Sequence, residues 1–154
     1  MQIRGAPAIA SLSSLGIAAE LLTLLATKDS ASFGSDCLDS TTTLLETLAS
    51  RTAYLLTSRP TAVNLLESIN RINSAARQAV QEGRSAVETI NIIVQVAIGV
   101  WSEDKARNKR IGDHGAEWIL EKLEREGSIA KGEKISVLTV SLIFAFVRLN
   151  DTVT

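Results

Sequence analysis

Cysteine and histidine are almost missing from this chain: Cys37 and His114 are single occurrences in 154 residues. One cysteine excludes an internal disulfide and any cysteine-rich metal site. One histidine excludes a multi-histidine metal site. An excess of charge of one sign is missing as well. Sixteen basic against 17 acidic residues leave a formal net charge of −1, without the basic surplus that a nucleic-acid surface requires. The basic run Lys105, Arg107, Lys109 and Arg110 is interleaved with Glu103, Asp104 and Asp113. On a helix such charges pair three or four residues apart and form a solvated face. No nucleic-acid partner and a reduced cytosolic compartment are therefore expected.

Long apolar runs are limited too. Ile135–Val147 falls short of the roughly 20 residues that a transmembrane helix takes. Met1–Ala26 is apolar for most of its length, but Pro7 sits early in it, Glu20 interrupts it, and Ala26-Thr27-Lys28 makes a poor cleavage site. A buried helix is the better reading, and no membrane is expected.

What is present is apolar sequence at helical spacing. Hydrophobic residues make up 45% and charged residues 21% of the chain, a globular composition. Both prolines suit helix starts, where a missing N–H has no intrahelical partner. A first helix is predicted from Pro7, with Ile9, Leu12, Leu15, Ala19, Leu22 and Leu25 along one stripe and apolar surface round much of the rest. A Ser-rich loop over Thr27–Ser35 follows. A second helix is predicted from about Asp36 to Thr57, with Leu38, Leu45, Leu48 and Leu55 on one face, until Arg59-Pro60 ends it. A third restarts at Pro60, carries Leu65, Ile69, Ile72, Ala76 and Ala79, and closes at Gly83. The clearest helix follows, with Val87, Ile90, Val94, Ala97 and Trp101. It continues or bends near Gly112 and Gly115 before Trp118, Ile119 and Leu123 resume an apolar face. Four or five helices with short loops make a bundle-like layer.

The pattern then changes. Gly132-Glu133 reads as a turn and Ile135–Val140 as a short, β-branched, buried strand. One strand leaves its backbone groups without ladder partners, so it reads as the first of an α/β sheet. The apolar run from Ile135 to Val147 then predicts association with other chains through open strand edges.

Arg4-Gly5-Ala6-Pro7 places an arginine and a small-residue turn just before a helix start. Helix N-termini favour anions through their unpaired N–H groups and dipole, and Gly5 allows close approach. Arg4 adds a bidentate donor for phosphate. Ser58-Arg59-Pro60-Thr61 repeats the arrangement. If Arg4 and Arg59 converge, they grip one phosphorylated ligand; the same arginines equally suit capping a neighbouring helix or pairing with a carboxylate. Glu103-Asp104 is a carboxylate pair, but adjacent helical positions point about 100° apart and should not share a site, so a structural role is expected. His114, beside Gly115 and without a visible base, reads as structural too.

Three blocks, QIRGAPAIA (Gln2–Ala10), SRPTAVN (Ser58–Asn64) and SEDKARNKRIGDHGAEW (Ser102–Trp118), resemble the methylthioribose-1-phosphate isomerases in order and approximate separation. The resemblance runs from Gln2 to Val140. It implies a mostly α chain: the helical N-terminal domain, with four to five helices, of a two-domain α/β family, plus the first strand of a Rossmann-like domain. The implied divisions are 1–131 helical, 132–140 first strand and 141–154 a tail foreign to the family. The implied reaction interconverts 5-methylthioribose 1-phosphate and 5-methylthioribulose 1-phosphate in methionine salvage. It uses no metal and no organic cofactor, in a homodimer of the cytoplasm and nucleus. Arg4, Gly5 and Ala6 match one substrate-binding segment, and Arg59 a second substrate-binding arginine.

The family's catalytic Cys directly follows the strand that matches Ile135–Val140, in a segment reading roughly Cys-Asn-Thr-Gly, and its catalytic Asp lies further on. Here Ser141-Leu142-Ile143-Phe144 follows that strand, and Cys37 lies in the helical part. No catalytic residue is therefore assigned, and the chain alone is expected to be inactive. The family also has a further segment before RGAPAIA, so the resemblance reads as a fragment at both ends. Val140-Ser141 can be encoded GTGAGT, which matches a splice-donor sequence, so a retained intron or a misplaced exon boundary is expected there, with a Cys-Asn-Thr-Gly coding segment shortly beyond. The alternative is a non-catalytic interaction subunit, like the regulatory subunits of the translation-initiation guanine-nucleotide exchange factor, which share the fold.

Overall fold

The computed structural model describes residues 5–127, which form five helices: α1 Ala6–Thr27, α2 Asp36–Asp39, α3 Thr41–Thr57, α4 Val63–Gln81 and α5 Ala86–Arg125. The helical class expected from the spacing is the one observed. Arg4 and the expected strand Ile135–Val140 lie outside the described residues. Residues up to Asp104 make one compact unit and those from Lys105 another, with the boundary inside α5.

α1 begins one residue before Pro7. Gly5 is its N-cap, in an extended conformation (φ −68°, ψ 129°), and its carbonyl accepts from Ile9 N–H at 2.9 Å. Pro7 therefore sits in the first turn, where its missing donor costs nothing. The helix stops at Lys28, which takes the left-handed conformation (φ 59°) and donates its N–H to Leu24 O at 2.8 Å.

The following loop is pinned at several points. Phe33 N–H donates to Ser30 Oγ at 2.9 Å, and Ser30 Oγ–H donates to Phe33 O at 3.1 Å. Ser32 N–H donates to Glu20 Oε2 at 3.2 Å, while Arg51 Nε–H donates to Ser32 O at 3.2 Å. The loop thereby holds the Phe33 ring in the core. Glu20, which looked only like an interruption of an apolar run, is an anchor for this loop.

The single helix expected over Asp36–Thr57 is two. Ser40 is extended (φ −132°, ψ 116°) and its hydroxyl accepts from Thr43 N–H at 3.2 Å. Serine satisfies an orphan donor better as an N-cap than as a helix interior residue, so the chain breaks there. The next start also shifts. Ala62 N–H donates to Arg59 O at 3.0 Å, closing a turn with Pro60 second, where its fixed φ fits. Helix α4 therefore begins at Val63 rather than at Pro60.

The α4–α5 junction follows the sequence signals. Gly83 takes φ +76°, and Gly83 and Arg84 donate to Val80 O and Ala79 O, each at 3.0 Å, which satisfies two terminal carbonyls. Ser85 and Glu88 then form a reciprocal cap. Ser85 N–H and Oγ–H donate to Glu88 Oε2 at 2.9 and 2.8 Å, and Glu88 N–H donates to Ser85 Oγ at 3.3 Å.

α1 and α3 both pack on α4, and α2 packs on α3. The α4 face Leu65, Ile69, Ile72, Ala76 and Ala79 is buried as predicted, and Ile90, Ile93, Val94 and Ala97 of α5 join the same core. Leu44 and Leu48 supply the fully buried leucines of α3, whereas Leu38, Leu45 and Leu55 are only partly buried. The α1 stripe is rotated from the expected one by a single position. The buried residues are Ile9, Ala10, Ser11, Ser14, Ile17, Ala18, Leu21 and Leu24, while Leu12 and Leu22 are 55% and 47% exposed. Small Ala and Ser side chains on the inward face let the backbones of α1 and α4 come close, and packing volume outweighs hydrophobicity there. Gly112 and Gly115 do not interrupt α5, which runs on to Arg125. By length and composition alone α1 and α5 could each cross a membrane. A buried core helix passes the same test, and α1 has its inward face in the core.

Candidate functional site

The described part of the sequence-predicted site lies at the starts of two packed helices. Gly5 and Ala6 open α1, and no side chain caps that end; no acidic residue stands in its first turn. The positive end of the helix dipole is therefore not neutralised by a local carboxylate, the condition under which an anion is attracted. Arg4 directly precedes this end in sequence and lies outside the described residues. Arg59 is half-buried and opens the turn that leads into α4, the packing partner of α1. Thr61, expected in the first turn of a helix, belongs to the same turn and is exposed. Gly5 and Ala6 therefore belong to the start of α1, and Arg59 to the turn before α4, the helix on which α1 packs.

The other chemistry-bearing residues have structural occupations. Cys37 is buried, with its thiol 3.6 Å from Thr47 Oγ1, so it fills space between α2 and α3 rather than facing a ligand. His114 lies 3.4 Å from Glu117, one turn on, and both side chains are exposed. Glu103 receives both ends of the Arg71 guanidinium, at 2.7 and 2.5 Å. This two-pronged bridge joins α4 to α5, and the Glu103 hydrogen bond holds Arg71 above the usual arginine range. Glu103 therefore acts as a clamp, in agreement with the structural role expected for it. Arg71 gave no sequence signal, because its partner is 32 residues away and no local spacing pairs them. Thr52 and Asn73 form a second cross-helix contact, with Asn73 Nδ2–H donating to Thr52 Oγ1 at 3.1 Å. Among the described residues no group of three His, Cys, Asp or Glu side chains could hold a metal ion.

Residues 2–143 match the initiation factor 2 subunit family. A methylthioribose-1-phosphate isomerase of Postia placenta is 39% identical over 140 residues, which is 91% of this chain and 35% of that protein. Those of Uncinocarpus reesii and Vanderwaltozyma polyspora are 39% and 36% identical, over 78% and 91% of this chain and 30% and 32% of theirs. The chain spans about a third of the length of these curated relatives. No solved structure matches it. With nearly its whole length inside the family match, and the helical architecture in place, this chain belongs to the initiation factor 2 subunit family.

Proposed function

We propose that this chain is the substrate-arm part of a methylthioribose-1-phosphate isomerase. In that role Arg4, Gly5, Ala6 and Arg59 hold the phosphate of 5-methylthioribose 1-phosphate. The observation that carries the reading is the start of α1: an N-terminus with no side-chain cap and no carboxylate in its first turn, directly after an arginine. A phosphate there accepts from the first-turn N–H groups, gains from the dipole and takes charge-assisted bonds from arginine. The relatives to which this chain is similar are named for a phosphorylated sugar.

Isomerisation needs a positioned acid and base, each contributing roughly 10²–10⁴-fold. By the resemblance these are a Cys after the strand matching Ile135–Val140 and a more distant Asp. Neither has a counterpart in these 154 residues, and Cys37 is buried. Binding without turnover is the expectation for this chain, with no cofactor involved. The full-length enzyme would be a homodimer of the cytoplasm and nucleus.

Titration calorimetry with 5-methylthioribose 1-phosphate, against unphosphorylated 5-methylthioribose, tests this. Phosphate-dependent binding that weakens about tenfold or more in Arg4→Ala and in Arg59→Ala is expected, since each removes a charged hydrogen-bond donor. Absence of binding, or binding indifferent to both substitutions, would sink it. The family's description favours a second reading, a non-catalytic interaction subunit. That reading gains if the sugar phosphate fails to bind while the chain is captured by exchange-factor subunits.

A further inference from the structure

α1 is apolar on every side, and Glu20 is its only charged residue. Ile9, Ile17, Leu21 and Leu24 face the core. Leu12, Leu15, Ala19 and Leu22 stand three or four apart on the other side, where Leu12 and Leu22 are largely exposed. Both sides are apolar, so hydrophobicity alone chooses weakly between them. Close packing on α4 favours the observed side. Two hydroxyls oppose it: the Oγ atoms of Ser11 and Ser14 are buried there without a hydrogen-bond partner, which offsets part of what burial gains. A turn of α1 about its own axis would wet both serines and bury the leucines.

An ionised carboxyl is not buried without partners. One carboxylate makes no polar face, so what counts is where Glu20 finds its partner. In the observed setting it is half-buried and accepts from Ser32 N–H at 3.2 Å. The carbonyl of the same residue accepts from Arg51 Nε–H of α3, also at 3.2 Å. Ser32 is thereby held from two helices that each pack on α4. The next residue is Phe33, whose ring belongs to the core. A turn of α1 that buried Leu12 and Leu22 would carry Glu20 away from Ser32 and break this bond.

We propose that Glu20 is a positioning residue: bonded to Ser32, it selects the rotational setting of α1, and with it the direction in which the Arg4–Ala6 segment meets a phosphate. The second half rests on the sugar-phosphate reading above; the first does not. Glu20 itself does not touch the ligand. A helix start turned about its axis keeps its dipole, but the segment before Gly5 moves round that axis. Charge-assisted bonds from that segment are therefore lost while the attraction of the helix end remains. Apparent affinity then falls with the fraction of chains left in the competent setting.

Thiol labelling of the full chain tests it, in a Cys37→Ser background carrying either Leu12→Cys or Ser14→Cys. With Glu20 in place, a maleimide should react much faster at position 12 than at position 14, since Leu12 is exposed and Ser14 fully buried. Glu20→Leu should lower that ratio about tenfold or more, by slowing position 12 as well as speeding position 14. Mere loosening speeds both positions. Glu20→Gln keeps an acceptor for Ser32 N–H and should restore the ratio. Arg51→Ala, at an exposed position, should shift it in the same direction and decides the matter if Glu20→Leu does not fold. Affinity for 5-methylthioribose 1-phosphate should fall ~3-fold or more in Glu20→Leu and recover in Glu20→Gln. An unchanged ratio overturns the proposal, and so does a changed ratio with undiminished binding. A changed ratio in a chain that binds no sugar phosphate even with Glu20 in place supports the selection of the setting and overturns the sugar-phosphate reading instead.

Discussion

The two parts of α5 share one helix and live under different constraints. As far as Ala97 the helix is held by tertiary packing, with Ile90 and Ile93 fully buried. Its start is set by the Ser85–Glu88 cap. Beyond Ala97 the same helix has exposed and half-exposed positions only. There it relies on side-chain pairs one turn apart, such as Lys109–Asp113 at 2.6 Å. Such pairs contribute roughly 0.2–0.5 kcal/mol each, whereas a fully buried isoleucine contributes several times more. The first part is specified by what it touches and the second by its own sequence.

A substitution that empties the core should separate the two parts most sharply. Ile90→Ala removes a fully buried side chain from the common core and should cost about 2–5 kcal/mol, the transfer loss plus a cavity. Ile119→Ala, at a half-buried position of the distal part, should cost less than about 1 kcal/mol. Urea unfolding of both variants compares them directly. Equal losses would mean that the distal part is packed as tightly as the proximal one.

Glycines give the next contrast, and here the signs differ. Gly83 takes φ +76° where α4 ends, and alanine there is strained, so Gly83→Ala should destabilise by roughly 1 kcal/mol. Gly112 is inside the helix with open space around its Cβ position. Gly112→Ala should therefore stabilise by about 0.5–1 kcal/mol. Thermal melts should move in opposite directions. A loss at Gly112 would point to a close contact at that site.

How much of this was legible in the sequence follows from the same division. The stripe of α4 was readable residue by residue, because Asn70, Arg71, Arg77 and Gln78 mark the opposite face as solvated. The stripe of α1 was not. Its only charged residue is Glu20, so nothing polar fixed its rotation, and leucines were expected inside where Ala10, Ser14 and Ala18 pack instead. The break at Ser40 was hidden by leucine spacing that continues across it. Phe33 was hidden because a loop has no periodicity to read. Near the candidate site, the start of α1 at Gly5 was legible, since helix starts are signalled locally. The placement of Arg59 in a turn before the helix depended on Pro60 occupying a turn position, which the sequence allowed but did not require.

The Arg71–Glu103 bridge ties the end of the packed part of α5 to α4. Both side chains are about half-exposed, so solvent screening limits the pair to about 0.2–1 kcal/mol despite its two-pronged geometry. A double-mutant cycle with Arg71→Ala and Glu103→Gln should give a coupling in that range, smaller at high salt. A coupling well above it would show that water is kept from the bridge.

The smallest effect belongs to the start of α5, and it is a pH effect. Hydrogen bonds from Ser85, backbone first and then side chain, hold the Glu88 carboxyl below the usual glutamate range. A carboxyl lowered in the folded state stabilises that state when ionised. Its contribution is complete above the unfolded glutamate value and disappears as pH falls through the lower folded value. The wild-type chain should therefore lose a small increment of stability in acid that Glu88→Gln does not lose, because the amide cannot titrate. Glu88 is solvent-exposed, so the increment should be modest and should shrink with salt. Melting both proteins across the acidic range, and subtracting one profile from the other, isolates it from the remaining carboxylates. Parallel profiles would show that the Ser85–Glu88 bonds are not held in solution, and that α5 begins on its packing alone.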